Sequence, residues 1–247
     1  QYKSQYAGFI MGLVLWMSRY GKLKKYILWK GVLQKEAMMR FFQVNRDIFL
    51  RTLCLVTVTL FFTSAGASQG EIILAVNTLL MQLFTLFSYV MDGFAYAGEA
   101  LSGRYIGARN RKAFTNTTRH LFIWGGWLAA FFTLVYALGG NAFLGLLTDN
   151  KDVVSAAGTY FYWALAIPVA GIAAFIWDGI FIGATATRGM LASMAIAAIS
   201  FFVVYYGLRP VLGNHALWLA FLVYLAMRGV VQTLLSPKII KENFTQP

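Results

Sequence analysis

The sequence has 247 residues, of which 59% are hydrophobic and only 12% are charged. A soluble domain carries about 25% charged residues, so this composition excludes an ordinary soluble domain. Apolar stretches of about 20 residues recur along the chain, and each is long enough to cross the hydrocarbon core of a bilayer. We therefore expect an all-α, polytopic membrane protein.

Seven membrane segments are predicted. In chain order they cover residues 6–20, 48–66, 72–98, 121–138, 160–184, 191–208 and 217–235. Residues 23–45, between the first two segments, are basic and amphipathic, which is typical of a helix that lies along the membrane surface. We interpret them as a cytoplasmic linker. Pairs of glycines such as Gly179 and Gly183 predict places where helix backbones approach closely.

The distribution of Lys and Arg predicts the orientation. If the segments alternate in direction, 18 of the 21 basic residues fall on one side of the membrane, with Arg228 counted in a loop on that side. Cytoplasmic loops carry such an excess, so we expect a cytoplasmic C-terminus. The net charge of +12 then faces anionic lipid, and no nucleic-acid partner is expected.

The third segment carries a polar stripe. Its members are spaced alternately by three and four residues, which places them on one face of a helix; they are Gln82, Thr85, Tyr89, Asp92, Tyr96, Glu99 and Gly103. Unpaired polar groups in hydrocarbon are unfavourable, so this face should meet water or other helices. It either lines a solvated cavity or packs against neighbouring helices, and Glu99 could also pair with Arg104.

The second segment has a weaker polar face that includes Asn45 and Thr52. Threonine hydroxyls can bond back to carbonyls of their own helix, so this face alone indicates little. Arg46, Asp47 and Arg51 lie at one end of the same segment, either as a local salt-bridge cluster or as part of a cavity mouth.

The fifth segment contains Pro168, which predicts a kink, and Asp178. No Lys or Arg lies near Asp178 within its own segment, so we expect it to be a proton or cation site; the alternative is a protonated or hydrogen-bonded structural residue. Asp92 and Asp178 are both followed by glycine.

Enzyme signatures are absent from the sequence. It contains none of the motifs H-E-x-x-H, G-x-S-x-G or C-x-x-C, and its two histidines fall at opposite ends of the predicted segments. Neither an enzymatic activity nor a cofactor is expected.

Three stretches resemble the MATE (multidrug and toxic compound extrusion) family, specifically its DinF-like branch: "NRDIFLRTL" at 45–53, "DGFAYAGEALSGRYIGARN" at 92–110 and "WDGIFIGAT" at 177–185. The resemblance implies a twelve-helix transporter of two six-helix lobes in the bacterial inner membrane. Residues 1–22 would be the last helix of the N-terminal lobe, residues 46–240 the complete C-terminal lobe, and residues 241–247 a cytoplasmic tail. The aspartate that the DinF-like branch uses as its proton site, in the first helix, is absent from these residues.

The resemblance implies an antiporter that exports cationic or amphipathic organic compounds in exchange for H⁺ or Na⁺. Asp92, Glu99 and Asp178 would line its inner cavity, and the rest of the transporter would be the N-terminal lobe. Two alternatives stay open: a flippase for lipid-linked oligosaccharides from the same superfamily, and a membrane scaffold. The flippases tend to need cationic residues in the cavity, and we expect few here apart from Arg46 and Arg51.

Overall fold

The computed structural model describes residues 2–22 and 34–244, and every long element in these ranges is an α-helix. The helices are α1 (Tyr2–Tyr20), α2 (Lys35–Ala67), α3 (Glu71–Gly107), α4 (Arg111–Leu147), α5 (Lys151–Gly183), α6 (Thr187–Leu212) and α7 (Asn214–Phe244). The chain divides into two compact units, residues 1–43 and 44–247. The second unit contains all the packing described below.

The predicted all-α membrane fold is confirmed. Within the described residues, α2 to α7 are six helices long and apolar enough to cross a membrane, whereas the 19-residue α1 is not among them. Six predicted segments each fall inside one helix, and the fifth, residues 160–184, passes the end of α5 by one residue; the helices otherwise run further than the segments. α3 and α4 have 37 residues each, which corresponds to about 55 Å at 1.5 Å per residue, so they extend well past about 30 Å of hydrocarbon.

The predicted linker falls only partly in the described residues. Residues 35–45 belong to α2 and continue without a break into the second predicted segment. Residues 23–33 of the linker and residues 245–247 of the predicted tail lie outside the described ranges. α5 stays helical on both sides of Pro168.

α3 and α5 end in the same kind of turn. In each, the second residue after the helix has a positive φ, 51° at Arg109 and 53° at Thr185. The next backbone N–H groups, of Asn110 and Ala186, donate to carbonyls five residues earlier at 2.9 and 2.8 Å. This is the Schellman arrangement, which usually places glycine at the positive-φ position. Both turns reverse the chain within three residues, so α4 and α6 return along the preceding helices.

α3 and α5 pack at close range because α5 presents glycines to α3. A Cβ atom at Gly179 would overlap the backbone of Ala95, and one at Gly183 would overlap the carbonyl of Glu99. Gly229 of α7 packs against α5 in the same way. The close approach expected from the Gly179 and Gly183 pair is therefore present, and it sets Asp178 of α5 beside the Asp92 region of α3.

α2 packs through large aromatic side chains. The Phe61 ring lies 5.0 Å from Phe202 and 5.2 Å from Tyr205 of α6, and Phe62 lies 5.0 Å from Trp218 of α7, measured between ring centroids. Such pairs add about 0.5–1.5 kcal/mol each beyond the area that they bury. α2 is thus held to the other helices by side chains that span a wider gap than the α3–α5 interface.

A buried amide pair joins α3 to α7. Asn77 and Asn214 exchange side-chain hydrogen bonds of 2.9 Å in both directions, and Trp218 Nε1 donates to Asn77 Oδ1 at 2.9 Å. Because burying an amide without partners is costly, this reciprocal pairing fixes the register of α3 against α7.

Candidate functional site

The polar stripe of α3 lies on the surface of the second unit. Tyr89 and Tyr96 are 71% and 70% exposed, Gln82 is exposed, and Asp92 and Glu99 are half-buried. On the other side of the helix, large apolar residues such as Leu83, Phe87 and Met91 are buried in the core. The structure thus separates the two faces of α3 as the periodicity predicts.

Two clefts meet along this face at Gln82. The smaller one, of about 260 Å³, is lined by Gln82, Thr85, Tyr89 and Phe143 among others. The larger one, of about 680 Å³, extends from Gln82 past Thr78 to Glu71. The stripe therefore continues toward the N-terminal end of α3 as a groove whose lining is partly polar and mainly apolar.

Asp178 lies at the centre of a buried ion-pair cluster. Arg51 of α2 and Arg228 of α7 each donate from Nη2 to its Oδ2 atom at 2.6 Å, and Gln232 of α7 donates from Nε2 to Oδ1 at 2.5 Å. The side chains of Asp178 and Arg228 are 10% and 5% exposed, and that of Arg51 is 22% exposed. The cluster, which we call the Asp178 cluster, joins three helices.

Some of the hydrogen-bonding capacity of the Asp178 cluster is unused. Nε of Arg51, Nε of Arg228 and Oε1 of Gln232 are buried without a partner among the described residues. The Arg228 guanidinium carbon lies 5.6 Å from the centre of the Tyr224 ring and 5.9 Å from that of Phe175. These ring faces offset part of the cost of burying the second guanidinium.

Asp92 lies beside this cluster but outside its bonds. The charges of both Asp178 and Arg228 act on the Asp92 carboxyl. No described side chain donates a hydrogen bond to it, and none of the ion pairs in the described ranges includes it. With two arginines and two aspartates, the group of four is neutral overall only when Asp92 is ionised.

The remaining predicted site residues are not drawn into one place. Thr52 is exposed, and its hydroxyl donates to the Ile48 carbonyl of its own helix at 3.0 Å. Asn45 is exposed, near the start of the second unit. Glu99 lies two turns from Asp92, and none of the ion pairs found in residues 2–22 and 34–244 joins it to Arg104.

The predicted cluster of Arg46, Asp47 and Arg51 is split. Arg46 pairs with Asp47 at 3.1 Å, and Asp47, which is 1% exposed, also accepts a hydrogen bond of 3.2 Å from the Thr187 hydroxyl of α6. Arg51 turns away to Asp178 instead. Polar bonds therefore tie α2 to α6 and to α5 at neighbouring turns.

Of two expectations about charge, the first stays a prediction and the second was wrong. Asp178 has cationic partners that lie 127 and 50 residues away in the sequence, and its role as a proton or cation site is not tested by them. Arg228, which the charge count assigned to a loop, is 4% exposed inside α7. A guanidinium buried within a membrane helix needs a carboxylate partner. The signal in the sequence for the pairing of Arg228 with Asp178 was that each interrupts an apolar segment.

The MatE family model matches residues 48–211, which cover about two thirds of the sequence and include Arg51, Asp92 and Asp178. This chain belongs to the MatE family. Membership agrees with the DinF-like resemblance and identifies a multi-pass membrane protein.

Two relatives in this family extend the comparison. The chain is 39% identical to DNA damage-inducible protein F of Escherichia coli (strain K12) over 234 residues, which cover 92% of this chain and 49% of that protein. It is 24% identical to Protein DETOXIFICATION 42 of Arabidopsis thaliana over 216 residues, which cover 83% of this chain and 42% of that protein. The chain thus spans about half the length of the curated relatives it matches.

In this chain, the described residues contain no group of three or more His, Cys, Asp or Glu side chains placed to hold a metal ion. The chemistry that the arrangement offers is electrostatic. One carboxylate is saturated by guanidinium and amide donors, and a second one, on an accessible polar face, has no donor.

Proposed function

We propose that this chain forms the C-terminal lobe, and the helix before it, of a secondary antiporter that exports cationic or amphipathic organic compounds in exchange for H⁺ or Na⁺. The observation that carries the proposal is the accessible polar face of α3, with a carboxylate that lacks a partner, in a chain of the MatE family. One relative is named for detoxification, which agrees with export of toxic compounds.

The location and partners follow from the same proposal. The lobe would sit in the bacterial inner membrane with its C-terminus in the cytoplasm, as the excess of basic residues on one side favours. Its α3 face would meet the N-terminal lobe across a water-filled cavity. The substrate would be a small molecule, most simply a cation, because the unpaired side chains on that face are acidic or aromatic.

Exchange follows from competition for a carboxylate. An ionised carboxylate that is half-buried in the wall of this cavity attracts a cation more strongly than one fully surrounded by water. Binding of H⁺ or Na⁺ removes that attraction, so the substrate and the coupling ion exclude each other. If the substrate reaches this carboxylate from one side of the membrane and the coupling ion from the other, the transporter exchanges one for the other.

Transport by the full-length protein in proteoliposomes tests this proposal. We expect ethidium to move against its gradient when a proton or Na⁺ gradient is imposed, and separate gradients identify the coupling ion. Protein-dependent movement of a lipid-linked oligosaccharide without movement of ethidium would contradict the proposal and favour the flippase.

The flippase alternative gains one observation from the structure. Arg51 and Arg228 place two guanidinium groups inside the lobe, where the sequence suggested few cations. Both donate to Asp178, however, and the Nε atom of each is buried without a partner among the described residues. The antiporter therefore remains the function that the site supports best.

Thiol labelling separates a transport cavity from a scaffold. In the full-length protein with Cys54→Ala, we expect cysteines at Thr85, Tyr89 and Tyr96 to react with a water-soluble maleimide in native membranes. Trp127→Cys on α4 is the matched control, because Trp127 is 70% exposed on an apolar helix surface. Equal lack of reaction at all four positions would mean that the α3 face meets lipid or protein, as in a scaffold.

A further inference from the structure

Asp92 and Asp178 have the same local sequence but opposite surroundings. Each is followed by glycine. A Cβ atom at Gly179 would overlap the α3 backbone, whereas one at Gly93 would meet no atom within 4 Å. The Asp178 dipeptide is therefore part of the helix–helix interface, and the Asp92 dipeptide faces open space.

The bonding of Asp178 leaves it little capacity for a ligand. Its Oδ2 atom accepts from two guanidinium groups and its Oδ1 atom from Gln232. Charge-assisted bonds of this kind are about twice as strong as neutral ones. A cation at Asp178 would have to displace at least one arginine and would lie beside the other.

Asp92 has the opposite character. It is half-buried, with no hydrogen-bond or ion-pair partner among the described residues. Tyr89 lies one turn before it and Tyr96 one turn after it on the same face. Both tyrosines are about 70% exposed, so each carries an accessible ring within one helical turn of Asp92.

An organic cation fits this arrangement. A carboxylate attracts the charge, and aromatic rings within about 6 Å of it add attraction through their faces. The groove that runs from Tyr89 past Gln82 provides space for the apolar part of such a molecule. Neither a carboxylate without a donor nor flanking exposed rings are found at Asp178.

We propose that Asp92 is the carboxylate with which this lobe binds a cationic substrate between Tyr89 and Tyr96, and that Asp178 is an ion-pair anchor that does not contact it. The inference rests on the proposed function, since it assigns the substrate contact within that cavity. Asp178 instead holds α2, α5 and α7 together through Arg51 and Arg228.

Binding of tetraphenylphosphonium to the purified full-length protein tests the assignment, with neutral triphenylphosphine oxide as the control for partition into detergent. We expect Asp92→Asn to lower the affinity for the cation at least about tenfold, with an unchanged melting temperature. Tyr89→Leu and Tyr96→Leu should each lower it about threefold, the effect of one exposed cation–ring contact. Asp149→Asn, an exposed acid between α4 and α5, should bind as the unmodified protein does.

The role of Asp178 is tested in the same assay. We expect Asp178→Asn to lower the melting temperature and the membrane abundance. Should it fail to accumulate, Arg51→Gln, alone and combined with Asp92→Asn, decides the matter. Removing Arg51 would take away one of the two guanidinium donors to Asp178 Oδ2 and leave that of Arg228, so the double variant should bind no more cation than Asp92→Asn if Asp178 is only an anchor.

Three results would overturn the assignment: wild-type affinity in Asp92→Asn, recovered affinity in the Arg51→Gln and Asp92→Asn double variant, or lost affinity with an unchanged melting temperature in Asp178→Asn. These outcomes differ from failure of the proposed function. If the unmodified protein transports and binds the cation but Asp92→Asn does so equally well, the antiporter stands and only the assignment of Asp92 falls.

Discussion

The sharpest consequence of the packing is a difference between two glycines in identical dipeptides. Gly179→Ala places a methyl group into the backbone of Ala95 on α3, whereas Gly93→Ala places one into open space. A flexible side chain could move aside at little cost, but here the obstacle is a helix backbone. α3 and α5 must therefore separate, and the bonds between Asp178 and its partners must stretch with them.

The expected cost can be worked from these contacts. Overpacking against a rigid neighbour costs about 1–3 kcal/mol, and a backbone obstacle belongs at or above the upper end. Alanine gains up to about 1 kcal/mol over glycine in a helix interior, which is the whole effect expected at Gly93. We therefore expect Gly179→Ala to lose about 2–3 kcal/mol relative to the unmodified protein and Gly93→Ala to be neutral or slightly more stable.

Thermal unfolding of the purified full-length protein measures the difference. For a cooperative unit of about 150–250 residues, 1 kcal/mol corresponds to about 2–4 °C, so the transition that includes α3 and α5 should differ by several degrees between the two alanine variants, and membrane abundance should follow the same order. Equal melting temperatures would refute the reasoning, because they would show that α3 and α5 are not in backbone contact at Gly179.

Two further predictions concern stability. Arg228→Gln should lower the free energy of unfolding by about 3 kcal/mol or more, since it removes a buried partner of Asp178. Arg46→Gln should lower it by less than about 1 kcal/mol, because the Arg46 side chain is 64% exposed in its ion pair. Similar melting temperatures for both variants would contradict the buried position of Arg228. Thr185→Gly should raise the free energy of unfolding by about 1 kcal/mol, because Thr185 has φ 53°. Gly213→Ala should lower it by about as much, because Gly213 has the same φ with free space around it. Melting temperatures that shift in the same direction would show that backbone conformation does not govern the stability of these turns.

Local patterns were sufficient for the helices and for the faces of α3. Apolar length predicts the spans, and the alternation of three and four residues predicts that Tyr89, Asp92 and Tyr96 share a face. Helix ends were less well predicted, because a polar residue outside the membrane, such as Lys35, can belong to the continuing helix or to a loop. The Thr52 hydroxyl bonds back to the Ile48 carbonyl of its own helix, and a role for Thr52 in a cavity stays a prediction.

Periodicity contains no information about which helices become neighbours, and the Asp178 cluster depends on that. Its two arginines come from α2 and α7, far from Asp178 in sequence, and only the folded lobe brings them together. The two Asp-Gly dipeptides show this limit of sequence-based prediction. They have the same two residues, but Gly179 faces α3 while Gly93 faces open space.

A physical constraint nevertheless allows the pairing to be predicted in similar sequences. An unpaired arginine or aspartate at membrane depth costs several kcal/mol, so each requires a partner of opposite charge, water or a shifted protonation state. Arg228 lies within an apolar segment, as does Asp178, and their pairing resolves both costs at once. Asp92 is then the neighbouring acid that remains beside the Asp178 cluster, and an acid without a donor among the described residues has capacity to bind a cation from outside.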